Sequence, residues 1–309
     1  MRAWQLDGPA ATPTLVAGDV PEPKPGPGEV LVRIRAAGVT PTELGWYPTT
    51  HTKAGDRRDH AIPGHEFSGA VAAVGPGTRG VVVGDEVYGM NDWFADGATA
   101  EYCLTRSEWI AAKPSGLTHA EAASVPIGAL TAWQGLFDRA KLQKGERALI
   151  HGGSGAVGVF AVQLARWHGA HVITTASARN REFLLQLGAE QVIDYRAERF
   201  EDSVRGIDVV FDAVGGTTLQ RSWGALGPNG RMVTIASDSE GTQDDRTKRA
   251  FFIVEPNRDQ LTKAGELLDA GVIKPVVDAV VPFAQTGAAY AGKVERRLGR
   301  GKVIIAVAE

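Results

Sequence analysis

The stretch IHGGSGAVGVFAVQLARWHG, residues 150–169, restricts the fold of this chain more than any other. An apolar strand runs into a cluster of glycines, and a mostly apolar helix follows at once. Five glycines, at 152, 153, 155, 158 and 169, crowd around that one helix. A tight turn joining a buried strand to a buried helix explains part of the crowding. A sharper reading fits the spacing: Gly153, Gly155 and Gly158 match G-x-G-x-x-G at a strand-to-helix junction, the setting in which that pattern carries meaning. The first glycine permits the turn, the second leaves room for a pyrophosphate, and the third lets helix pack on strand. Gly153, Ser154, Gly155, Ala156 and Val157 then form an anion cradle, with free amides from residue 155 to 158 and the helix dipole behind them.

The following sequence supplies the context that the motif needs. From about residue 125, strand and helix alternate: ERALIHGG, the helix 156–168, HVITTAS, a helix from Asn180 to Gly188, QVIDY, DVVFDAVGG, the helix TLQRSWGAL, a PNG turn and RMVTIAS. Such alternation gives a doubly wound α/β layer, a parallel sheet with helices on both faces. A carboxylate about 20 residues past the glycines would bind a ribose 2′-hydroxyl and select NAD. Here Ser177 stands 22 positions beyond Gly155, and no Asp or Glu occurs from 171 to 181. A hydroxyl with Arg179 suits a 2′-phosphate, since a guanidinium grips phosphate through paired donors, and the pattern points to NADP. The plainer alternative makes Arg179 a surface residue of the next helix.

Residues 1–120 have another texture, of short strands between turns. In EVLVRIRAAGV, Val30, Val32 and Ile34 alternate with Leu31, Arg33 and Arg35, the mark of a half-buried strand. EFSGAVAAVG and VGDEVYGM repeat the pattern, which suggests a compact barrel or sandwich. Near 257 a further helix begins, with Asn257 and Gln260 as its cap and Leu261, Ala264, Leu267 and Leu268 on one stripe. Lys plus Arg is 33 against 36 for Asp plus Glu, and the net charge of −3 argues against a broad nucleic-acid footprint. The single cysteine, Cys103, excludes an internal disulfide and a thiolate-rich metal site. With neither an apolar leader nor a run of about 20 apolar residues, no membrane partner is expected and the cytoplasm is the expected compartment. The charged loop HTKAGDRRDH (51–60) reads as solvated surface, with a mobile lid as the alternative.

Taken together, AAGVTPTELG (36–45), PGHEFSG (63–69), VGDEVYG (83–89), VPIGALTAWQGL (125–136), IHGGSGAVG (150–158), FDAVGG (211–216), FFIVEPN (251–257) and RGK (300–302) resemble a medium-chain dehydrogenase/reductase of the zinc-independent, quinone oxidoreductase-like branch. The resemblance covers nearly the whole chain. It implies a GroES-like β-barrel from residues 1–120, rejoined by 261–309, and a Rossmann domain over 121–260, with a homodimer formed through the Rossmann sheets. It implies that Gly155, Ala156 and Val157 contact the pyrophosphate, although Ala156 stands where many relatives have glycine. Thr131 would lie near the nicotinamide ribose or phosphates, and Ser177, Arg179 and Tyr195 around the 2′-phosphate. Val214, Phe252 and Val254 would border the nicotinamide through their backbone, and Lys302 would lie at the other end of the cleft. For Tyr195 and Phe252 a purely packing role is the alternative.

Zinc-dependent relatives carry a cysteine in the segment matching GVTPTE, where this chain has Thr40 and Pro41. His65 and Glu66 match a zinc-site motif, yet a catalytic zinc needs three protein ligands and no cysteine stands with them, so no metal is expected and His65 reads as structural. The implied reaction is hydride transfer from NADPH to a quinone or an α,β-unsaturated carbonyl, acceptors that already delocalise charge. Thr40 could hydrogen-bond the developing oxyanion and Tyr47 could donate a proton; ordinary structural hydrogen bonding is the alternative for both. Two other functions stay open: an enoyl reductase of a biosynthetic pathway, and a dinucleotide-binding sensor or structural protein with little turnover.

Overall fold

A computed structural model describes residues 1–8 and 13–308. The chain divides into two compact units, one of Met1–Ile127, Pro256–Asp269 and Pro275–Glu309, the other of Gly128–Glu255 and Ala270–Lys274. In chain order the first unit contributes β1 (Arg2–Asp7), β2 (Thr14–Asp19), β3 (Glu29–Gly38), β4 (Glu66–Val74), β5 (Glu86–Met90), β6 (Tyr102–Arg106) and β7 (Ile110–Ala112). The second contributes β8 (Arg147–His151), β9 (His171–Ala176), β10 (Gln191–Asp194), β11 (Ile207–Asp212) and β12 (Leu226–Thr234). The chain then returns to the first unit with β13 (Val277–Pro282) and β14 (Lys302–Ala306).

The first unit is a GroES-like β structure. Its main sheet runs β13-β14-β3-β4-β5-β7, with β6 also paired to β3. Strand β3 is the hub. Val30, Val32 and Ile34 are buried as the alternation predicts, but Leu31 is buried too. The half-buried expectation fails there because β3 is an interior strand, with β4 on one edge and β6 and β14 along the other, and the helix His119–Ala123 packs against it as well. Phe67, Val71, Val87 and Ile305 complete this core.

The second unit is the Rossmann sheet, five parallel strands in the order β10-β9-β8-β11-β12. The order reverses at β8, whose neighbours are β9 and β11, and ligands of open α/β sheets bind at such a switch point. Leu149, Ile173, Ile193 and Val210 fill one face of the sheet with Phe200 and Leu219. The PNG segment, expected as a turn, lies within the bounds of β12 but outside its ladder: pairing passes from Leu226 opposite Ile207 to Arg231 opposite Val209, leaving Pro228, Asn229 and Gly230 without partners on β11.

Candidate active site

Strand β8 ends at His151, and the turn that follows leads into the helix Gly158–His168. Gly152 has φ of +78°, a conformation glycine adopts without strain. A side chain at Gly153 would run into Thr174 of β9, and one at Gly158 into the Gly152 carbonyl. Gly155 is the open one: an added Cβ would meet only Gly152 O, at 3.3 Å. Its own N–H donates to that carbonyl at 2.9 Å. The expected row of free amides is thereby shortened, among the described residues, to Ala156, Val157 and Gly158.

A buried network holds the turn from beneath. His151 Nδ1 lies 3.0 Å from Thr175 Oγ1, and Nε2 lies 2.9 Å from Ser222 Oγ. Ser222 gives its one hydrogen to Thr218 O at 2.7 Å, so His151 Nε2 must be the donor. Burial depresses its pKa from 6.5 to about 3. Thr175 then donates to Nδ1, while its carbonyl accepts the Gly153 N–H at 3.1 Å. On the other neighbour, Asp212 accepts from Thr234 Oγ1 at 2.9 Å and from Gly215 N at 3.0 Å, and burial raises its carboxyl. This fixes the loop after β11, where Val214 would lie 3.3 Å from a Cβ at Gly152.

The adjacent ends of β9 and β10 gather the residues read as a 2′-phosphate site. Tyr195 N donates to Ala176 O at 3.3 Å, which draws Tyr195 beside Ser177 and the 3₁₀ turn Ala178–Asn180 that carries Arg179. Asn180 contacts Ser177 Oγ at 3.4 Å, and Gly188 closes the next helix with φ of +105°. The guanidinium of Arg196 lies 5.7 Å from the Tyr195 ring centroid, a second basic group that sequence reasoning overlooked although it directly follows Tyr195. Thr131 is buried on the helix Pro126–Trp133. Phe252 and Val254 are buried as side chains; Phe252 N donates to Thr234 O at 3.2 Å, and Gln134 pairs with both backbone groups of Glu255 at 2.8 and 3.0 Å.

The first unit holds a buried ionic cluster. Pairing of β14 with β3 sets Ile304 opposite Gly38, and Val39 N donates to Val303 O at 3.0 Å, so the same register puts Lys302 opposite Thr40. Lys302 Nζ donates to Thr40 Oγ1 at 3.0 Å. On the far side of β3, Glu66 begins β4 beside Gly38. Any side chain at Gly38 would collide with the Glu66 carboxyl. Through that gap Glu66 reaches across β3 to ion-pair with Lys302, while its other oxygen accepts the Ile127 N–H at 2.9 Å. Burial pushes the Glu66 carboxyl up, and the Lys302 ammonium pulls it part of the way back.

His65, one residue earlier, faces the other way: its Nδ1 lies 2.8 Å from Glu43 Oε2. Tyr290 donates to Glu43 Oε1 at 2.5 Å, and burial beside that carboxylate holds the phenol well above its usual range. His65 Nε2 is buried without a hydrogen-bond partner among the described residues. The ring packs on Trp93 at 5.0 Å, and Trp93 meets Trp46 edge-on at 5.4 Å. Tyr47 stands apart, 51% exposed and stacked on His51 at 4.4 Å. The charged 51–60 loop is tied down by ion pairs from Lys53 to Asp92 (2.5 Å) and Arg58 to Asp96 (2.7 Å). With Phe94, Tyr102 and Trp109 it borders a groove of about 820 Å³ in the first unit, whose walls include none of Thr40, His65 and Lys302.

Known proteins match both units. The family model for the alcohol dehydrogenase GroES-like domain covers residues 26–135, and that for zinc-binding dehydrogenases covers residues 187–305. A probable zinc-binding oxidoreductase, mitochondrial, of Arthroderma benhamiae is 34% identical over 99% of this chain and 96% of its own length. The chain belongs to the medium-chain dehydrogenase/reductase family. Within the family, the 2-methylene-furan-3-one reductase of Solanum lycopersicum is 32% identical over 99% of this chain and 79% of its own length. The mitochondrial NAD(P)H oxidoreductase RTN4IP1 of Danio rerio is 30% identical over 92% and 84%. A quinone oxidoreductase structure from Coxiella burnetii superposes with a TM-score of 0.87 at 29% identity, covering 100% of this chain and 99% of the other.

As a medium-chain dehydrogenase/reductase, this chain is an oxidoreductase with a dinucleotide-binding domain. The cytoplasmic expectation is corrected: the fungal and fish relatives are named as mitochondrial, and mitochondrial targeting segments are amphipathic, so the lack of an apolar leader carried no information. The zinc in the family's names can be tested on the donor set. Glu66 is engaged by Lys302 and Ile127, and Thr40 by Lys302, which leaves His65 Nε2 as the one available ligand nitrogen of this cluster. The Lys302 ammonium would also repel a second cation. Among the described residues no three His, Cys, Asp or Glu side chains are grouped to hold an ion. These residues do not fit a catalytic zinc.

Proposed function

We propose that this medium-chain dehydrogenase/reductase is an NADPH-dependent, metal-free reductase of quinones or α,β-unsaturated carbonyls. The observation that carries the cofactor choice is the cluster of Ser177, Arg179, Tyr195 and Arg196 at two adjacent strand ends, with no carboxylate closing β9. The amides of Ala156, Val157 and Gly158 would hold the pyrophosphate, on a turn shaped by Gly153, Ser154 and Gly155. Thr131, Val214 and the backbone at Phe252 and Val254 would border the nicotinamide and its ribose. Bound there, NADPH supplies a hydride. Without a Lewis acid, the acceptors that need least help are those that spread the arriving charge over a conjugated system. The tomato and Coxiella relatives are named for substrates of that kind, which supports the reading.

The test is NADPH oxidation with a quinone, an enone and a simple alkanal, before and after dialysis against a chelator. Consumption of the quinone or enone, indifferent to chelation, is the expected result. Activity lost on chelation, or confined to the alkanal, overturns the proposal.

A further inference from the structure

We infer that Lys302 supplies the positive charge that a metal provides elsewhere: held by Glu66, it polarises the Thr40 hydroxyl into the hydrogen-bond donor for the acceptor's carbonyl oxygen. The inference rests on the reductase reading above. Thr40 is the N-cap residue of the 3₁₀ helix Pro41–Gly45, a position where threonine usually caps, yet its side chain makes no cap. Its oxygen accepts from Lys302, and its own hydrogen has no acceptor among the described residues. Thr40 is partly exposed, while Lys302 is 5% exposed and Glu66 is fully buried. A hydroxyl that accepts from a cation becomes a stronger donor, and the effect grows in a low-dielectric surround. Gly38 makes the arrangement possible, because only the missing side chain lets Glu66 cross β3 to hold the ammonium.

In the reaction, the hydride's electron pair forms the new C–H bond at the conjugated carbon, and the displaced π electrons shift through the conjugated system to the carbonyl oxygen. Thr40 hydrogen-bonds that oxygen and keeps its own proton; solvent protonates the resulting enolate or phenolate. Thr40 is therefore the catalytic residue and Lys302 a positioning residue.

The experiment is a double-variant cycle on an acceptor found by the screen, with NADPH affinity followed in parallel by nicotinamide fluorescence. Thr40→Val should lower kcat about a hundredfold, the usual scale for one lost oxyanion donor, with NADPH affinity unchanged. Thr40→Ser, which keeps the hydroxyl, should recover most of that loss. Lys302→Met should cost about tenfold, and the double variant Thr40→Val/Lys302→Met should be no slower than Thr40→Val, because Lys302 acts through Thr40. If Lys302→Met fails to fold, Glu66→Gln/Lys302→Met removes both charges together and answers the same question. Unchanged kcat in Thr40→Val, or additive losses in the double variant, would overturn the inference alone. NADPH binding without turnover of any acceptor would instead sink the reductase reading, and this inference with it.

Discussion

The glycine turn of the second unit and the ionic cluster of the first both present hydrogen-bond donors, yet they are built in opposite ways. The turn is made of backbone within one seven-residue stretch, where glycines keep side chains out and leave three amides open. The cluster is made of side chains drawn from distant parts of the chain: Thr40 and Lys302 are 262 positions apart, and Glu43 and Tyr290 are 247. The first device is fixed at Gly153 and Gly158, where a side chain would strike Thr174 or the Gly152 carbonyl. The second is rigid because buried charges satisfy one another, and removing one partner strands the other.

That contrast can be attacked from both sides. The largest effect should come from Gly158→Val, whose Cβ would collide with the Gly152 carbonyl. Backbone cannot move aside as a flexible side chain can, so we expect a loss of about 3 kcal/mol together with loss of dinucleotide binding, read by denaturant unfolding and NADPH fluorescence. In the first unit, Tyr290→Phe leaves Glu43 Oε1 without its donor in a buried site and should cost about 2 kcal/mol. NADPH binding should be untouched; a weakened titration would show that the two regions are not the separate devices described.

A pH series sharpens the comparison further. His151 titrates at about 3 in the fold against an ordinary 6.5, so the unfolded chain binds the extra proton between those values. Stability linked to this histidine is therefore full above pH 6.5 and drains away as the pH falls toward 3. His151→Gln should flatten the fall of Tm between pH 6.5 and 4, and an unaltered slope would refute the neutral, buried assignment. The smallest effect should be that of Lys53→Ala, which breaks an ion pair whose lysine is 67% exposed. Unfolding should shift by less than about 0.5 kcal/mol, and a larger change would revive the lid alternative for residues 51–60.

The same contrast explains what could be read from the sequence. The motif glycines, the alternation of strand and helix, and the Asn257 cap, whose Oδ1 accepts the Gln260 N–H at 3.0 Å, are local patterns and therefore legible. Thr40 could be singled out by type, but not its bond to Lys302, because that depends on the β3–β14 register. Glu66 reads in the sequence only as part of a zinc-site motif with His65; its partner becomes visible only when Gly38 is seen as the gap between two strands. Leu31 misled the alternation for a related reason, since what packs on the faces of a strand is a property of the fold and not of the segment. Arg196 needed no long-range information, only weight given to the residue after Tyr195.

The central claim is that an NADPH pocket is built on the second unit. The measurement that tests it most directly is a fluorescence titration of the purified protein with NADPH and with NADH, beside Arg179→Ala. NADPH should bind more tightly, with about tenfold of that preference lost in the variant and NADH unaffected, as expected for one charge-assisted phosphate contact. Equal or tighter binding of NADH, or an Arg179→Ala protein that keeps the full preference, would contradict it.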